Sequence, residues 1–500
     1  MLGWAQPVHS RPRMSTLVRF VTAITVACLV LSPQSISAQT PPGTSLEARL
    51  EAVQRELLAL KAAMRVDGTP EESVTLSARV EELSTQLKII ARQIELDKEQ
   101  AAERAKTAPQ TTAGRGGFSV QSADGQFRVR VRGYLHSDAR FFVDDTANRA
   151  VDTFVLRRVR PIVEATMFGI FDFRVMPDFG SGATVLQDAY VDMRFHPKLK
   201  VRVGKFKPPL GLERLMSATE IPFVERGLPT ALVPNRDMGV MVHGDLVSGN
   251  LAYAAGIFNG VVDGGSADAD IQDGKDVVAR LFAQPFRTRR DSRWQGLGFG
   301  VAGSYGSQRG ISAASNALPT FRTAGQTSFF TFRGDDPVLG AVLADGTHTR
   351  FSTQGYYYVG SFGFLGEHVI SSQEIRRGTT ADTLDKTAWQ LAGSWVVTGE
   401  PATHRSVVPR AGFDLTANTW GALELTARYT ALDIDADAFP FFANPASAAS
   451  GAQAWTAGVN WYLNTGVKFQ VNFERTTFDT AGTTRREPEN TVFTRVQFAF

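Results

Sequence analysis

One cysteine is all the 500-residue chain carries, and it is Cys28, near the start. A single thiol builds no disulfide scaffold and no cysteine-based metal or redox centre. If the first 38 residues are removed on export, the mature chain has no thiol, which suits passage through an oxidising compartment. Long apolar runs are missing too: the most hydrophobic stretch, Phe20 to Leu31, falls short of the ~20 residues a spanning helix needs. Charge is nearly balanced, with 53 lysines and arginines against 50 acids for a net +3, so no nucleic-acid partner is expected. What is abundant is glycine, 45 residues, and phenylalanine, 34. Many short aromatic strands joined by glycine-containing turns would use both.

Arg11, Arg13 and Arg19, the apolar run and then SPQSISA read as a secretory signal over 1–38, with Met14 as an alternative start. If the mature chain is in a membrane, it must cross as strands. Residues 44–105 read as a periplasmic coiled coil. Leu46, Leu50, Val53, Leu57, Leu60 and Met64 step by four and three, as do Leu76, Val80, Leu83, Leu87, Ile90 and Ile94. Thr44 with Glu47, and Thr69-Pro70 with Glu72, mark helix starts. The break at Asp67-Gly68 leaves two stacked coils or a helical hairpin open. Neither half has a second apolar face, which favours self-association over a solvated spacer. Residues 106–120 read as a polar linker, and 121–500 as one domain.

That domain alternates. In QFRVRVRGYLHSDARFF, Phe127, Val129, Val131 and Leu135 share one parity, while Arg128, Arg130, Arg132, Tyr134, His136, Asp138 and Arg140 take the other. The next strand sets Arg158, Arg160, Glu164 and Thr166 on its wet side. Period-two patterning with a polar, basic face on strand after strand, behind an export signal, points to an all-β outer-membrane barrel with an aqueous lumen. Sixteen candidate strands can be counted, five of them before a long irregular segment, Pro208 to Asp237. That segment is too long for an ordinary turn. Folded into the lumen, it would bring Lys205, Lys207, Arg214 and Arg226 near the narrowest point, with Glu213, Glu220 and Glu225 tying it to the wall. Residues 307–348 read as a partly folded-back outer loop. TVFTRVQFAF ends on Phe500, a terminal aromatic of the kind the barrel-insertion machinery reads.

Arginines on successive strands offer a moving anion many weak bidentate sites, an arrangement that conducts rather than traps. The competing reading is a structural network pairing them with Asp138, Asp172, Asp178, Asp188 and Asp192. A net basic path is favoured because the arginines cluster on the first two strands and the acids lie two or more strands away. His136, His196 and His243 read as hydrogen-bonded wall residues. No metal site, cofactor or catalytic constellation is expected: the aspartates at 433, 435 and 437 imitate a calcium loop, but Ala438 sits where glycine is needed.

The runs FVLRRVR, LQDAYVDMRF, VRVGKFKPPLGLER and FVERGLPTALVPNRDMGV, with later YAAGIFNG, LTARYTALD and GVNWYLN, resemble the phosphate-selective porin O and P family over roughly 120–500. The resemblance implies a homotrimer of 16-stranded barrels in a Gram-negative outer membrane, surrounded by its lipid. It further implies a passive path for inorganic anions such as phosphate or polyphosphate, and a channel in place of an enzyme. The resemblance places the family's paired wall arginines on Arg157 and Arg158, its first-strand lysine on Arg130, the lysine after Gly-Leu-Glu on Arg214 and a later loop arginine on Arg226. With the stripe residues, the expected anion path is Arg128, Arg130, Arg132, Arg157, Arg158, Arg160, Arg214 and Arg226. Two positions depart from the family pattern: Tyr134 replaces an arginine and Gln187 an acid. Anion preference is therefore expected, strict phosphate selectivity is not implied by these residues, and a general porin stays open. The coiled coil is additional to the best-known members. It leaves a second reading, a structural barrel tethered to the periplasmic layer.

Overall fold

A computed structural model describes residues 45–63, 70–114, 116–146, 150–270, 272–289, 291–482 and 486–500. The signal expected over 1–38, Thr44, Met64, the Asp67-Gly68 break and Thr69 lie outside them. The chain forms two compact units, Met1–Lys106 and Thr107–Phe500.

In the first unit, α1 (Leu46–Ala63) and α2 (Pro70–Thr107) carry the stepped apolar residues. Arg79 of α2 pairs with Glu56 of α1 at 3.3 Å, which sets the two helices side by side as a hairpin, and Leu83 is buried. The second helix stays regular to Thr107, about where the linker is expected to begin. Its Ala, Glu, Lys and Arg are good helix formers, and Lys106 pairs with Glu103 one turn back at 2.6 Å. After it, strands Gln110–Gly114 and Gly117–Gln121 form a short hairpin instead of a free linker.

Sixteen antiparallel strands form the second unit's barrel. They are β1 (Arg128–Val143), β2 (Thr153–Met167), β3 (Phe171–Asp178), β4 (Val185–His196), β5 (Leu199–Phe206), β6 (Asp237–Leu246), β7 (Leu251–Phe258) and β8 (Asp276–Ala283). The second half comprises β9 (Leu297–Arg309), β10 (Leu343–Val359), β11 (Phe362–Arg377), β12 (Thr380–Val396), β13 (Ala422–Ile434), β14 (Ala449–Tyr462), β15 (Val467–Thr480) and β16 (Glu489–Ala499). Each pairs with its sequence neighbour, and β16 closes the ring on β1 from Asn490↔Val143 to Ala499↔Tyr134. Phe500 and Gly133 exchange both backbone hydrogen bonds at 3.0 Å. Beyond that point the short hairpin takes over the pairing with β1, and Phe118 packs edge-on against Phe500.

The packing is inside-out. Phe154, Leu391 and Trp455 are more than 60% exposed on the outer surface, while Arg428, Arg495 and Lys468 are 2% exposed or less on the inner one. Alternation sends one parity to hydrocarbon and the other to the lumen.

Loops fill part of that lumen. Residues 207–236 turn inward through α3 (Leu212–Leu215) and a 3-10 turn, Leu228–Leu232, and cross to the far wall. Leu212 N donates to Glu367 at 2.6 Å, Val224 N to Asn472 at 2.7 Å and Leu228 N to Thr430 at 3.0 Å. Asn460 of β14 donates to the Pro222 carbonyl at 2.8 Å. The loop between β9 and β10 also folds in, burying Leu318, Phe321, Phe329 and Phe330 with Phe442 and Leu232 in one apolar cluster. The cluster reaches wall residues from Phe206 of β5 round to Phe478 of β15, while the open space borders β1 to β5.

Candidate functional site

On the open side, register decides which guanidiniums meet. His136 of β1 stands opposite Arg158 of β2, but Ser137 stands opposite Leu156, so Arg157 is an extra residue with no partner. Such a bulge breaks the alternation locally. Two consecutive arginines can therefore face the lumen, where a regular strand would send one to lipid. Gly180 sits against the bulge: a Cβ there would meet the Arg157 carbonyl and Arg158 Cα at 2.8 Å.

Glu225, at the inner edge of the constriction loop, is shared among these groups. It accepts from Arg157 Nε at 2.6 Å and Arg140 Nη2 at 3.3 Å, and pairs with Arg158 at 3.7 Å. Burial alone would raise its carboxyl. The Arg157 and Arg158 guanidiniums override burial and hold it well below the usual carboxylate range. Across the gap, three cations have only oxygen dipoles. Arg214 donates to Asn235 Oδ1 at 3.1 Å and to the Thr230 carbonyl, Arg226 to the carbonyls of Glu213 and Met216 at 3.2 and 2.9 Å, and Lys207 to the Met216 carbonyl at 2.8 Å. Among the described residues, none of these three forms an ion pair.

Three cavities line up along this wall. The central one, about 580 Å³, is lined by ten cationic and three acidic side chains. It shares Arg157, Arg158, Arg214, Arg226 and Asn235 with a second cavity of about 460 Å³ on the side of the long loops. It shares Arg174, Tyr190 and Arg202 with a third, of about 260 Å³, towards the short turns. The first shared set is the constriction.

The expected path residues are thus placed as follows. Arg157, Arg158, Arg214 and Arg226 converge at the constriction, and Arg132 and Arg160 line the central cavity. Arg128 and Arg130 line the third. The acids are not two or more strands away, and that expectation is corrected. Glu164, on the neighbouring strand, is shared by Arg130, Arg132 and Arg174 at 2.5, 2.8 and 2.9 Å, and Arg160 pairs with Asp178 at 2.7 Å while bonding the Tyr134 hydroxyl. Direct cross-strand neighbours are within reach of long side chains, so adjacency, not strand count, was the relevant distance. Two further corrections concern the loop. Lys205 is tied to Asp268, away from the constriction, and Glu220 accepts from Ser217 within its own loop rather than from the wall. Glu213 does reach the wall, accepting from Gln390 at 3.1 Å. His136, His196 and His243 are hydrogen-bonded as expected, to Arg158, the Lys198 N–H and Asp192. Arg174, Arg202 and Arg236 also line the central cavity and were not singled out. Parity on β3 and β5 would have found the first two. Arg236 ends an irregular loop, where parity says nothing.

A family model described as phosphate-selective porin O and P matches residues 129–500. The chain belongs to that family. It is a porin of the Gram-negative outer membrane. Porin O of Pseudomonas aeruginosa is 25% identical over 412 residues, covering 77% of this chain and 91% of that one. Among solved structures, an anion-selective porin from Comamonas acidovorans aligns with a TM-score of 0.46 at 12% identity, covering 75% of this chain and all of that one. The trimer form of OmpT from Vibrio cholerae aligns with a TM-score of 0.45 at 13% identity over 75% of this chain and 99% of the other.

Proposed function

We propose that this porin is a passive channel for anions of the phosphate class, and that Arg128, Arg130, Arg132, Arg157, Arg158, Arg160, Arg214 and Arg226 line the path. The observation that carries the reading is the excess of guanidinium over carboxylate at the constriction, where one Glu225 serves four arginines, Arg140, Arg157, Arg158 and Arg495, and Arg214, Arg226 and Lys207 form no ion pair among the described residues. An oxyanion entering from either cavity meets bidentate donors, and the pairs already formed with carbonyls and Glu225 keep each contact weak enough to leave. The near-even balance in the third cavity, four cations to three acids, makes the centre the selective stretch. The family's description supports phosphate as the solute class. Tyr134, which replaces a family arginine, accepts from Arg160 through its hydroxyl oxygen at 2.8 Å, so that position supplies no charge.

The same reading takes the chain as a homotrimer, not an enzyme, inserted through its terminal strand ending in Phe500, with residues 1–38 as export signal. Planar-bilayer recording tests it: under a KCl gradient the reversal potential should report anion preference, and phosphate should compete with chloride. Cation preference, or a silent barrel, would overturn it.

A further inference from the structure

The connection between β12 and β13, residues 397–421, lies at the short-turn end yet is longer than any neighbour there. It runs in two limbs. The inner limb buries Ala402 and Val407 against Val396, Ala422 and Tyr462, and Ser406 donates to the Thr219 carbonyl of the constriction loop at 3.0 Å. The outer limb is a tight hairpin. Asp414 and Thr419 exchange both backbone hydrogen bonds, and the Asp414 carboxylate accepts from the Thr416 and Ala417 N–H groups at its tip. It leans on the outside of the barrel. The Phe413 ring meets Trp461 edge-on at 5.4 Å and Trp420 at 5.8 Å, Trp461 Nε1 donates to the Trp420 carbonyl at 2.6 Å, and Trp461 continues to Phe469. Trp461 and Phe469 belong to the lipid-facing parity of β14 and β15. Leu415 is 73% exposed and Trp420 61%. An exposed leucine at a hairpin tip beside a tryptophan, continuous with the lipid-facing surface, has the make-up of an interfacial anchor, since amphipathic aromatic rings collect at the headgroup level.

We propose that residues 412–420 anchor in the headgroup–acyl boundary of the periplasmic leaflet, with phospholipid as the partner. The same turn thereby holds its inner limb against the constriction loop. The inference rests on the outer-membrane placement and not on which solute passes, so a failure of anion selectivity would leave it standing. The test uses the full chain with Cys28→Ser and an environment-sensitive fluorophore on Leu415→Cys, reconstituted in phosphatidylethanolamine–phosphatidylglycerol vesicles containing lipids quencher-labelled near the headgroup or deep in the chain. Leu391→Cys, on the lipid-facing wall, and Val338→Cys, 89% exposed in an outer loop, set the two limits. Ala417→Cys on the same tip is a second probe should the first variant fold poorly. Emission shifted to the blue of the Val338 label, with shallow quencher stronger than deep, is the expected result. Emission and quenching equal to the Val338 label at both tip positions would overturn the anchor. With the anchor removed by Leu415→Asp and Trp420→Ser, open-channel noise should rise, and unchanged noise would overturn the link to the constriction loop.

Discussion

Arg158 and Arg350 both stand at lumen-facing positions of barrel strands, and both are at most 4% exposed, yet their surroundings differ. Arg350 on β10 has two carboxylates, Asp263 at 2.7 Å and Asp276 at 2.8 Å, and its remaining nitrogen donates to the Val261 carbonyl. Arg158 on β2 has a long contact with His136 and a distant share of Glu225, and it borders two cavities. One guanidinium is satisfied by the protein. The other keeps donors in reserve. Burial and residue type are the same in the two arcs of the wall; the number of acids per arginine and the presence of open space beside it separate a structural tie from a solute contact.

The largest effect that would test this contrast is on stability. Arg350→Ala leaves Asp263 and Asp276 buried without their main partner, and breaking a buried pair from one side costs about 3 kcal/mol or more. The denaturation midpoint of the folded barrel should fall while ion preference stays unchanged. Removing Arg157 and Arg158 together should do the reverse. Anion over cation preference should drop on the order of tenfold, equal to ~1.4 kcal/mol, with a smaller fall in midpoint than Arg350→Ala causes, because Arg140 and Arg495 still flank Glu225. If both variants lowered the midpoint equally and left selectivity alone, the two arcs would not be distinct.

Much of this was legible beforehand because lipid enforces a rule water does not. Every spanning backbone must be paired and every outward side chain apolar, so alternation at Phe127 to Arg140, or in TVFTRVQFAF, marks both strand and facing. The inward loop was legible too, since some thirty residues from Pro208 fit no turn. The bulge was not. One extra residue at Arg157 changes the facing of its neighbour without changing composition, and here only the resemblance to the porin family, not the periodicity, pointed to the paired arginines. The carboxylate partners were misjudged for a related reason. Glu164 was recognised as lumen-facing, but its reach to Arg130, Arg132 and Arg174 depends on cross-strand register, which alternation along one strand does not encode.

A smaller effect sharpens the comparison within the open arc. Glu225→Gln removes the single shared carboxylate, so Arg140, Arg157 and Arg158 lose their competitor for a passing oxyanion. Anion preference should rise a few-fold, while phosphate current at high concentration should fall as the ion dwells longer. Currents measured against phosphate concentration check this. A variant that conducts phosphate as fast as the parent at every concentration would mean that Glu225 does not tune release.

The smallest effect is in pH. Lys207 lies just past the end of β5, among Arg214, Arg226 and Arg236. Enclosure by the barrel pushes its ammonium well below the ordinary lysine value, and Arg236 and Arg226 add to the shift while Asp188 opposes it. The native state then binds fewer protons than the unfolded chain in the window below the ordinary lysine value. The stability gained from the neutral form is complete above that value and lost as pH falls towards the folded one. Selectivity runs the other way, because the charge that attracts anions is present at low pH and lost as pH rises. Glu225, held down by its arginines, stays ionised throughout and contributes no slope. Reversal potentials taken across a rising pH series should therefore drift slightly towards cations in the parent and stay flat in Lys207→Met. Equal slopes in the two proteins would assign the titration elsewhere and return Lys207 to the structural side of the comparison.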